Sequence, residues 1–177
     1  MTSGPRKPVD TAAVCRVLAR HGVDFVLIGG VAAVALGAPA VTFDLVLVPE
    51  RSEANLTRLT AALIELEASV KAAGRVRRHP DGQWLLAGKV WNFETQIGDV
   101  DVIFAPPGVA GYEQLVEQAT DVDVGDGMIA RVASLDDLIA MKEAANRPKD
   151  QLILPILRWL RDRSASDLEA NPGRESS

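Results

Sequence analysis

The segment "GGVAAVALGAPAVTFDLVLVP", residues 29–49, contains the pattern that best predicts the fold of this chain. It begins with a glycine pair, continues through small apolar residues and reaches its first charge at Asp44. Gly37 and Pro39 divide it into a short helix and a strand, and the apolar run "VDFVLIGG" before it predicts another strand. The pattern therefore predicts a strand–helix–strand unit in which an acid interrupts an apolar strand.

Residues 25–43 carry no charge, so this part of the chain also approaches the length of a membrane span. Glycine and proline interrupt it, and alanine supplies much of the remainder, which favours strand, turn and helix over a span. The opening residues, "MTSGPRKPVD", hold no apolar stretch typical of a secretory signal. We therefore expect a protein with no membrane partner.

The composition is typical of one folded unit. The chain has 177 residues, of which 47% are hydrophobic and 24% charged, enough to bury a core. A net charge of −5 provides no overall basic field for nucleic acid or anionic lipid, so any nucleic-acid contact must be a local patch. The single cysteine, Cys15, excludes an internal disulfide and a cysteine-based zinc site. These features favour the reducing cytoplasm.

Predicted helices and strands alternate along the rest of the chain. Asp10 and Ser52 are placed to cap two helices, and Ser134 begins a third with capping-box spacing. The other predicted elements are an exposed arm at 71–82, strands within 83–96 and 97–106, a helix near 112–119, and short strands around "DVDV" and "MIARVA". We expect a single domain over residues 1–163, helical from about residue 134, followed by a disordered tail over residues 164–177.

Asp44 requires a partner. Within an apolar strand its carboxylate loses hydration, which destabilises the fold by several kcal/mol unless a cation, a metal or hydrogen bonds compensate. The later strand "GDVDVIF" places Asp99 and Asp101 on one face, because side chains alternate along a strand. If the two strands were neighbours, Asp44 and Asp101 could converge on a hard cation such as Mg²⁺. The alternative is that these aspartates lie at strand ends in contact with water.

Two further features have both a functional and a structural interpretation. Gly29 and Gly30 lie between a strand and a helix, where they could admit nucleotide phosphates, but tight packing explains a glycine pair equally well. The P-loop and dinucleotide-binding motifs are missing from the chain. Lys142 lies on the same helical face as Leu135, so its ammonium either extends to solvent or enters a cleft and reaches a triphosphate.

A cluster of basic residues occupies the predicted arm: Arg75, Arg77, Arg78 and His79. These side chains could contact an RNA backbone. Because no aromatic residues are interleaved with them, the cluster is also typical of a solvated loop.

Three segments, "IGGVAAVALGAPAVTFDL", "GDVDVIF" and "SLDDLIAMKEAANRPKD", together resemble the nucleotidyltransferase fold of the DNA polymerase β superfamily. The likeness covers about residues 23–158 and is closest to the AbiEii or MenT-like toxin nucleotidyltransferases and their bacterial relatives. It implies an α/β (α+β) fold, with a mixed β-sheet flanked by helices and a C-terminal helical segment.

The resemblance also implies roles for individual residues. The catalytic residues would be Asp44, Asp101 and Lys142, the nucleotide-binding residues Gly29, Gly30, Lys142 and Asp150, and the metal ligands Asp44, Asp101 and Asp99. The implied metal is Mg²⁺, with Mn²⁺ as an alternative, and the implied ligand is an NTP.

Val46 departs from the family pattern, which carries a second aspartate there, and Ile153 replaces a further acid. Loss of one of three carboxylates weakens the binding of two metal ions. One hypothesis is a toxin–antitoxin toxin, with an antitoxin partner, that transfers a nucleoside monophosphate from an NTP to a hydroxyl of RNA, such as a tRNA end, or of protein. The alternative is a catalytically degenerate member of the family that binds a nucleotide or a protein.

Overall fold

A computed structural model describes residues 8–70 and 82–170 of the chain. Its strands form one sheet with the order β3-β4-β5-β2-β1-β7-β6. The strands of the described part are β1 (Phe25–Ile28), β2 (Asp44–Pro49), β3 (Ser69–Val70), β4 (Val90–Thr95), β5 (Gly98–Ile103), β6 (Thr120–Asp123) and β7 (Ile129–Val132). Its helices are α1 (Thr11–Arg20), α2 (Gly29–Ala35), α3 (Glu53–Glu65), α4 (Gly82–Ala87), α5 (Tyr112–Gln118), α6 (Leu135–Ala145) and α7 (Pro148–Ala170). The predicted mixed sheet with a C-terminal helical segment is confirmed.

The sheet is mixed because its central strands run in both directions. β1 pairs antiparallel with β2 and parallel with β7, whereas β2 pairs parallel with β5. β4 then pairs antiparallel with β5. The two strands that carry the predicted acids are therefore direct neighbours near the middle of the sheet.

Alternation along these strands separates a core face from a polar face. On β5, Val100 and Val102 are fully buried whereas the aspartates between them are partly exposed. On β2, Leu45 and Leu47 are fully buried, on the face opposite to that of Asp44. Burial of such a side chain contributes about 1.5–3 kcal/mol, so the apolar residues fix which face the acids occupy.

Caps define the helix starts. Asp10 accepts a hydrogen bond from the backbone N–H of Ala13 at 2.9 Å, and Ser52 accepts one from Asn55 at 3.2 Å. The Ser134 hydroxyl accepts the N–H of Asp137 at 3.1 Å. All three predicted caps are confirmed. Over residues 8–70 and 82–170, no helix combines the length and apolar character needed to cross a bilayer.

Two sequence-based predictions differ from the structure. The sequence pattern predicts a strand at 83–87, yet this segment lies in α4. The ring of Trp84 packs on Trp91, and the indole N–H of Trp91 donates to the carbonyl of Leu85 at 2.8 Å, which stabilises the helix. The tail was predicted to be disordered from Ser164, yet α7 continues through Ala170. The predicted basic arm lies almost wholly outside the described residues, as does the tail after residue 170.

Candidate active site

Asp44 and Asp101 line the same pocket. Parallel pairing sets Asp44 opposite Asp99 and Val46 opposite Asp101, so all four side chains project from one face of the sheet. The pocket has a volume of about 510 Å³, and its lining includes Asp44, Asp101, Gly29 and Gly30. The structure thus brings together the two acids and the glycine pair that the sequence analysis selected.

Asp99 occupies a different position from the other two acids. It pairs with Asp44 across the strands but is not part of the pocket lining. Among residues 8–70 and 82–170, no group of three His, Cys, Asp or Glu side chains is arranged to hold a metal ion. The pocket therefore offers two carboxylates, and Val46 occupies the neighbouring position on β2 where a third would face Asp101.

The glycine pair allows α2 to pack closely on β2. Gly29 has a φ of +71°, and a Cβ built on it would lie 3.1 Å from a methyl carbon of Val46. A Cβ on Gly30 would lie 2.7 Å from the hydroxyl oxygen of Thr42, closer than side chains approach. Close packing is thus a sufficient reason for both glycines, and it also forms the part of the pocket wall next to Asp44.

Thr42 is a pocket residue whose role no sequence motif indicates. Its hydroxyl donates to the carbonyl oxygen of Asp44 at 3.0 Å and lies 3.5 Å from the Asp44 carboxylate. The available signal was the two-residue spacing, which places Thr42 and Asp44 on one side of an extended chain. Thr42 thus helps to orient the residue that carries the first acid.

Three cationic side chains line the same pocket as the acids. Lys142 on α6 lines the pocket with only 18% of its side chain exposed. Arg147, just before α7, and Lys149, in the first turn of α7, line it as well. The ammonium of Lys142 lies 2.8 Å from a carboxylate oxygen of Asp150. Lys142 therefore enters the pocket instead of extending into solvent.

Asp150 contacts two of these cations and is not part of the pocket lining. Its side chain is fully buried and accepts hydrogen bonds from Lys142 and from the Nε of Arg147, the second at 2.7 Å. Burial opposes ionisation, but the hydrogen bonds from Arg147 and Lys142 outweigh it and lower the pKa of Asp150 to about 2. Asp150 was predicted to bind nucleotide, whereas the structure places its carboxylate in contact with the two cations.

Comparison with known proteins identifies the architecture. No protein-family model and no curated protein matches the sequence. The lincomycin-bound lincosamide antibiotic adenylyltransferase LnuA superposes with a TM-score of 0.60 at 9% identity, over 87% of this chain and 99% of that one. The chain has the nucleotidyltransferase fold.

Two further solved structures agree with that assignment. An antigenic nucleotidyltransferase-like protein from Paracoccidioides brasiliensis matches with a TM-score of 0.56 at 12% identity, over 94% of this chain and 92% of that chain. The antibiotic-resistance factor ANT(2'')-Ia matches with a TM-score of 0.50 at 13% identity, over 90% and 93% of the two chains. The closer likeness to AbiEii or MenT-like toxins stays a prediction.

The remaining wall of the pocket in this nucleotidyltransferase fold is apolar. It comes from the segment before β2, the segment after β5, and α6 and α7, and it includes Val41, Phe43, Pro106, Pro107, Met141 and Ile153. Val41 is 71% exposed and Phe43 37% exposed, so the pocket is apolar at its rim as well. Ile153, where the sequence pattern departs from the family, belongs to this wall. The pocket thus combines an ionic side with an apolar side, as small-molecule sites commonly do.

Proposed function

We propose that the protein transfers a nucleoside monophosphate from an NTP to a hydroxyl group of an acceptor. The observation that carries this proposal is that Asp44 and Asp101 share one pocket with Lys142, Arg147 and Lys149. Carboxylates suit a hard cation and cations suit a polyphosphate, so the two groups of side chains match the two parts of a metal–NTP complex.

The donor set of the pocket suits Mg²⁺, with Mn²⁺ as an alternative. Mg²⁺ in proteins is usually bound by one or two carboxylates together with substrate phosphates and water, and Asp44 and Asp101 supply that number. When bound, the ion would neutralise phosphate charge and favour deprotonation of the attacking hydroxyl. With Val46 beside Asp101, the carboxylates suit one ion better than two.

The cations of the pocket would bind the triphosphate. In the transfer, the acceptor oxygen bonds to the α-phosphorus, the bond to the bridging oxygen of the pyrophosphate breaks, and the hydroxyl proton is lost. Negative charge then accumulates on the leaving pyrophosphate, where Lys142, Arg147 and Lys149 would stabilise it. The apolar rim at Val41 and Phe43 would contact the nucleobase or the acceptor.

The candidate acceptors come from the sequence resemblance and from the structural neighbours. The sequence resemblance implies RNA, such as a tRNA end, or a protein hydroxyl, in a toxin with an antitoxin partner. Two of the structural neighbours are by name antibiotic-modifying or antibiotic-resistance proteins, which adds the hydroxyl of a small molecule to the candidates. We place the reaction in the cytoplasm because a single cysteine can form no internal disulfide, which is typical of proteins from reducing compartments.

A second function is favoured by Val46. The residue lies opposite Asp101, and its hydrocarbon side chain has no atom that could bind a metal ion. The same geometry also fits a protein that binds an NTP, with or without a cation, and transfers nothing. This second candidate is a nucleotide-binding module that acts through a protein partner.

A labelling experiment separates the two functions. Native protein and the Asp44→Asn variant are incubated with each α-labelled NTP, with Mg²⁺ or Mn²⁺, in the presence of total RNA, tRNA, protein or a lincosamide. We expect slow transfer by the native protein and none by the variant. Transfer that survives Asp44→Asn would refute the role of this acid. Binding of an NTP without transfer to any acceptor would support the second function.

A further inference from the structure

Asp150 contacts two of the cations that line the pocket. The carboxylate is fully buried, yet it accepts from two side chains that reach the pocket from different elements, Lys142 on α6 and Arg147 just before α7. We infer that Asp150 is a positioning residue, and this inference rests on the function proposed above. It holds the ammonium and the guanidinium in the arrangement that receives the triphosphate before the NTP binds.

The two cations depend on this one acid. In the described part of the chain, every side-chain hydrogen bond of Lys142 and of Arg147 goes to Asp150. The distances are 2.8 Å from Lys142 Nζ to Oδ1, 2.7 Å from Arg147 Nε to Oδ2 and 3.3 Å from Arg147 Nη2 to Oδ1. Without the carboxylate both long side chains would regain rotamer freedom, which NTP binding would then have to remove.

Both cations keep the capacity to bind phosphate. An ammonium and a guanidinium each have more N–H donors than the ones that Asp150 accepts. Lys142 and Arg147 both line the pocket, and their side chains are 18% and 55% exposed, so a ligand in the pocket can reach both groups. One carboxylate beside two cations also leaves a net positive charge. The cluster can therefore bind an anion while its contacts with Asp150 persist.

Asp150 also has a helix-capping contact, which is the structural alternative. It is the third residue of α7, and its Oδ2 lies 3.3 Å from the backbone nitrogen of Arg147, which precedes the helix. An acid at this position commonly accepts that N–H. If capping were its whole role, removal of its charge would lower stability without changing how the pocket distinguishes phosphates.

Asp137 provides a matched control. It is the third residue of α6 and is 7% exposed, and its carboxylate contacts the capping hydroxyl of Ser134 at 2.7 Å and Gln114 at 3.1 Å. Over residues 8–70 and 82–170 it forms no ion pair with a lysine or arginine. Asp137→Asn therefore removes a buried helix-start acid and leaves the pocket cations untouched.

The test compares the affinities of an NTP and its NMP by calorimetry, using the base that the native protein binds best. We expect the native protein to prefer the NTP by about tenfold or more, because the cations contact the β- and γ-phosphates. Asp150→Asn should reduce this preference by about threefold or more, although the variant gains a positive charge, because two side chains must then be ordered on binding. Asp137→Asn should leave the preference unchanged.

A measurement on the native protein covers the case in which Asp150→Asn does not fold. NMR relaxation of the Nε–H of Arg147 in the free protein should give an order parameter close to that of rigid backbone, about 0.85. The order parameter of the same group in Arg163, whose side chain is 63% exposed, should be below about 0.6. A mobile Arg147 in the free protein would overturn the positioning role. So would an unchanged phosphate preference in a folded Asp150→Asn variant.

The labelling experiment keeps this inference distinct from the proposed reaction. Loss of phosphate preference in Asp150→Asn, without transfer by the native protein, supports the positioning role and overturns the reaction. Transfer by the native protein, together with an unchanged phosphate preference in Asp150→Asn, supports the reaction and overturns the positioning role. A native protein that binds no NTP would refute both.

Discussion

Replacement of Val46 by aspartate would place a third carboxylate beside the two in the pocket. Val46 pairs directly with Asp101 and shares a strand face with Asp44. Aspartate is close to valine in size, so the change alters mainly charge. The position is 9% exposed and packs against Gly29, so the new carboxylate would have little contact with water.

The cost of this change without a cation follows from burial and repulsion. Burial of a poorly compensated polar group costs about 1–3 kcal/mol, and a like charge directly across the strands adds about 0.2–1 kcal/mol. In a chain of 177 residues about 1 kcal/mol corresponds to 2–4 °C in Tm, so Val46→Asp should lower Tm by about 5–10 °C. Mg²⁺ at about 100 times its Kd would return about 2.7 kcal/mol, which is most of the loss.

Thermal unfolding across a Mg²⁺ titration measures both effects. The native protein, Val46→Asp and the uncharged Val46→Asn are compared. We expect Mg²⁺ to raise Tm of Val46→Asp by several degrees more than that of the other two proteins, and to increase label transfer. An equal Mg²⁺ response in all three proteins would refute the arrangement of Asp44, Val46 and Asp101 as neighbours around one cation.

Three further predictions concern packing, pH and nucleotide affinity. Gly30→Ala should lower the free energy of unfolding in urea by about 1–3 kcal/mol because its Cβ would lie 2.7 Å from Thr42. Gly82→Ala, whose Cβ would lie 3.7 Å from its nearest neighbour, should cost little, and equal losses in the two variants would contradict this. In the folded protein the pKa of Asp150 is lowered from 3.8 to about 2. The ionised carboxylate should therefore add about 2 kcal/mol to the free energy of unfolding above pH 3.8, and this contribution should be lost as the pH decreases towards 2. An Asp150→Asn variant whose deficit at pH 6 persists at pH 2 would disprove this. Lys142→Ala should weaken NTP binding by about tenfold in calorimetry, and it should also lower Tm because buried Asp150 loses one of its two cationic partners. An unchanged affinity would remove the assigned role.

The sequence predicted the fold well where burial alone decides the structure. The apolar runs of β1 and β2 and the alternation of β5 have one consistent arrangement, in which valines and leucines enter the core. Once β2 and β5 are neighbours, Asp44 and Asp101 must share the opposite face, because side chains alternate along each strand. The acids of the candidate site were therefore recognisable from their positions within apolar strands.

The features that the sequence did not predict depend on contacts between distant residues. The stretch at 83–87 has the composition of a strand, but the contact between Trp84 and Trp91 stabilises it as a helix. The apolar rim at Phe43 cannot be distinguished by periodicity from ordinary core. The position of Asp150 depends on the turn between α6 and α7, where Asn146 adopts a left-handed conformation with φ of +48°. Local sequence patterns do not show where such a turn will place an acid relative to two cations.

Asp44 and Asp101 together should hold one cation beside an NTP. Electron paramagnetic resonance of Mn²⁺, titrated with protein and NTP, tests this claim because protein-bound and free Mn²⁺–NTP give different spectra. The comparison includes Asp44→Asn, Asp101→Asn and, as a control, Asp136→Asn, whose side chain is 77% exposed on α6. We expect one Mn²⁺ per native chain, affinity weakened about tenfold or more by each of the first two changes, and no effect of the third. Native affinity in both Asp44→Asn and Asp101→Asn would contradict the claim.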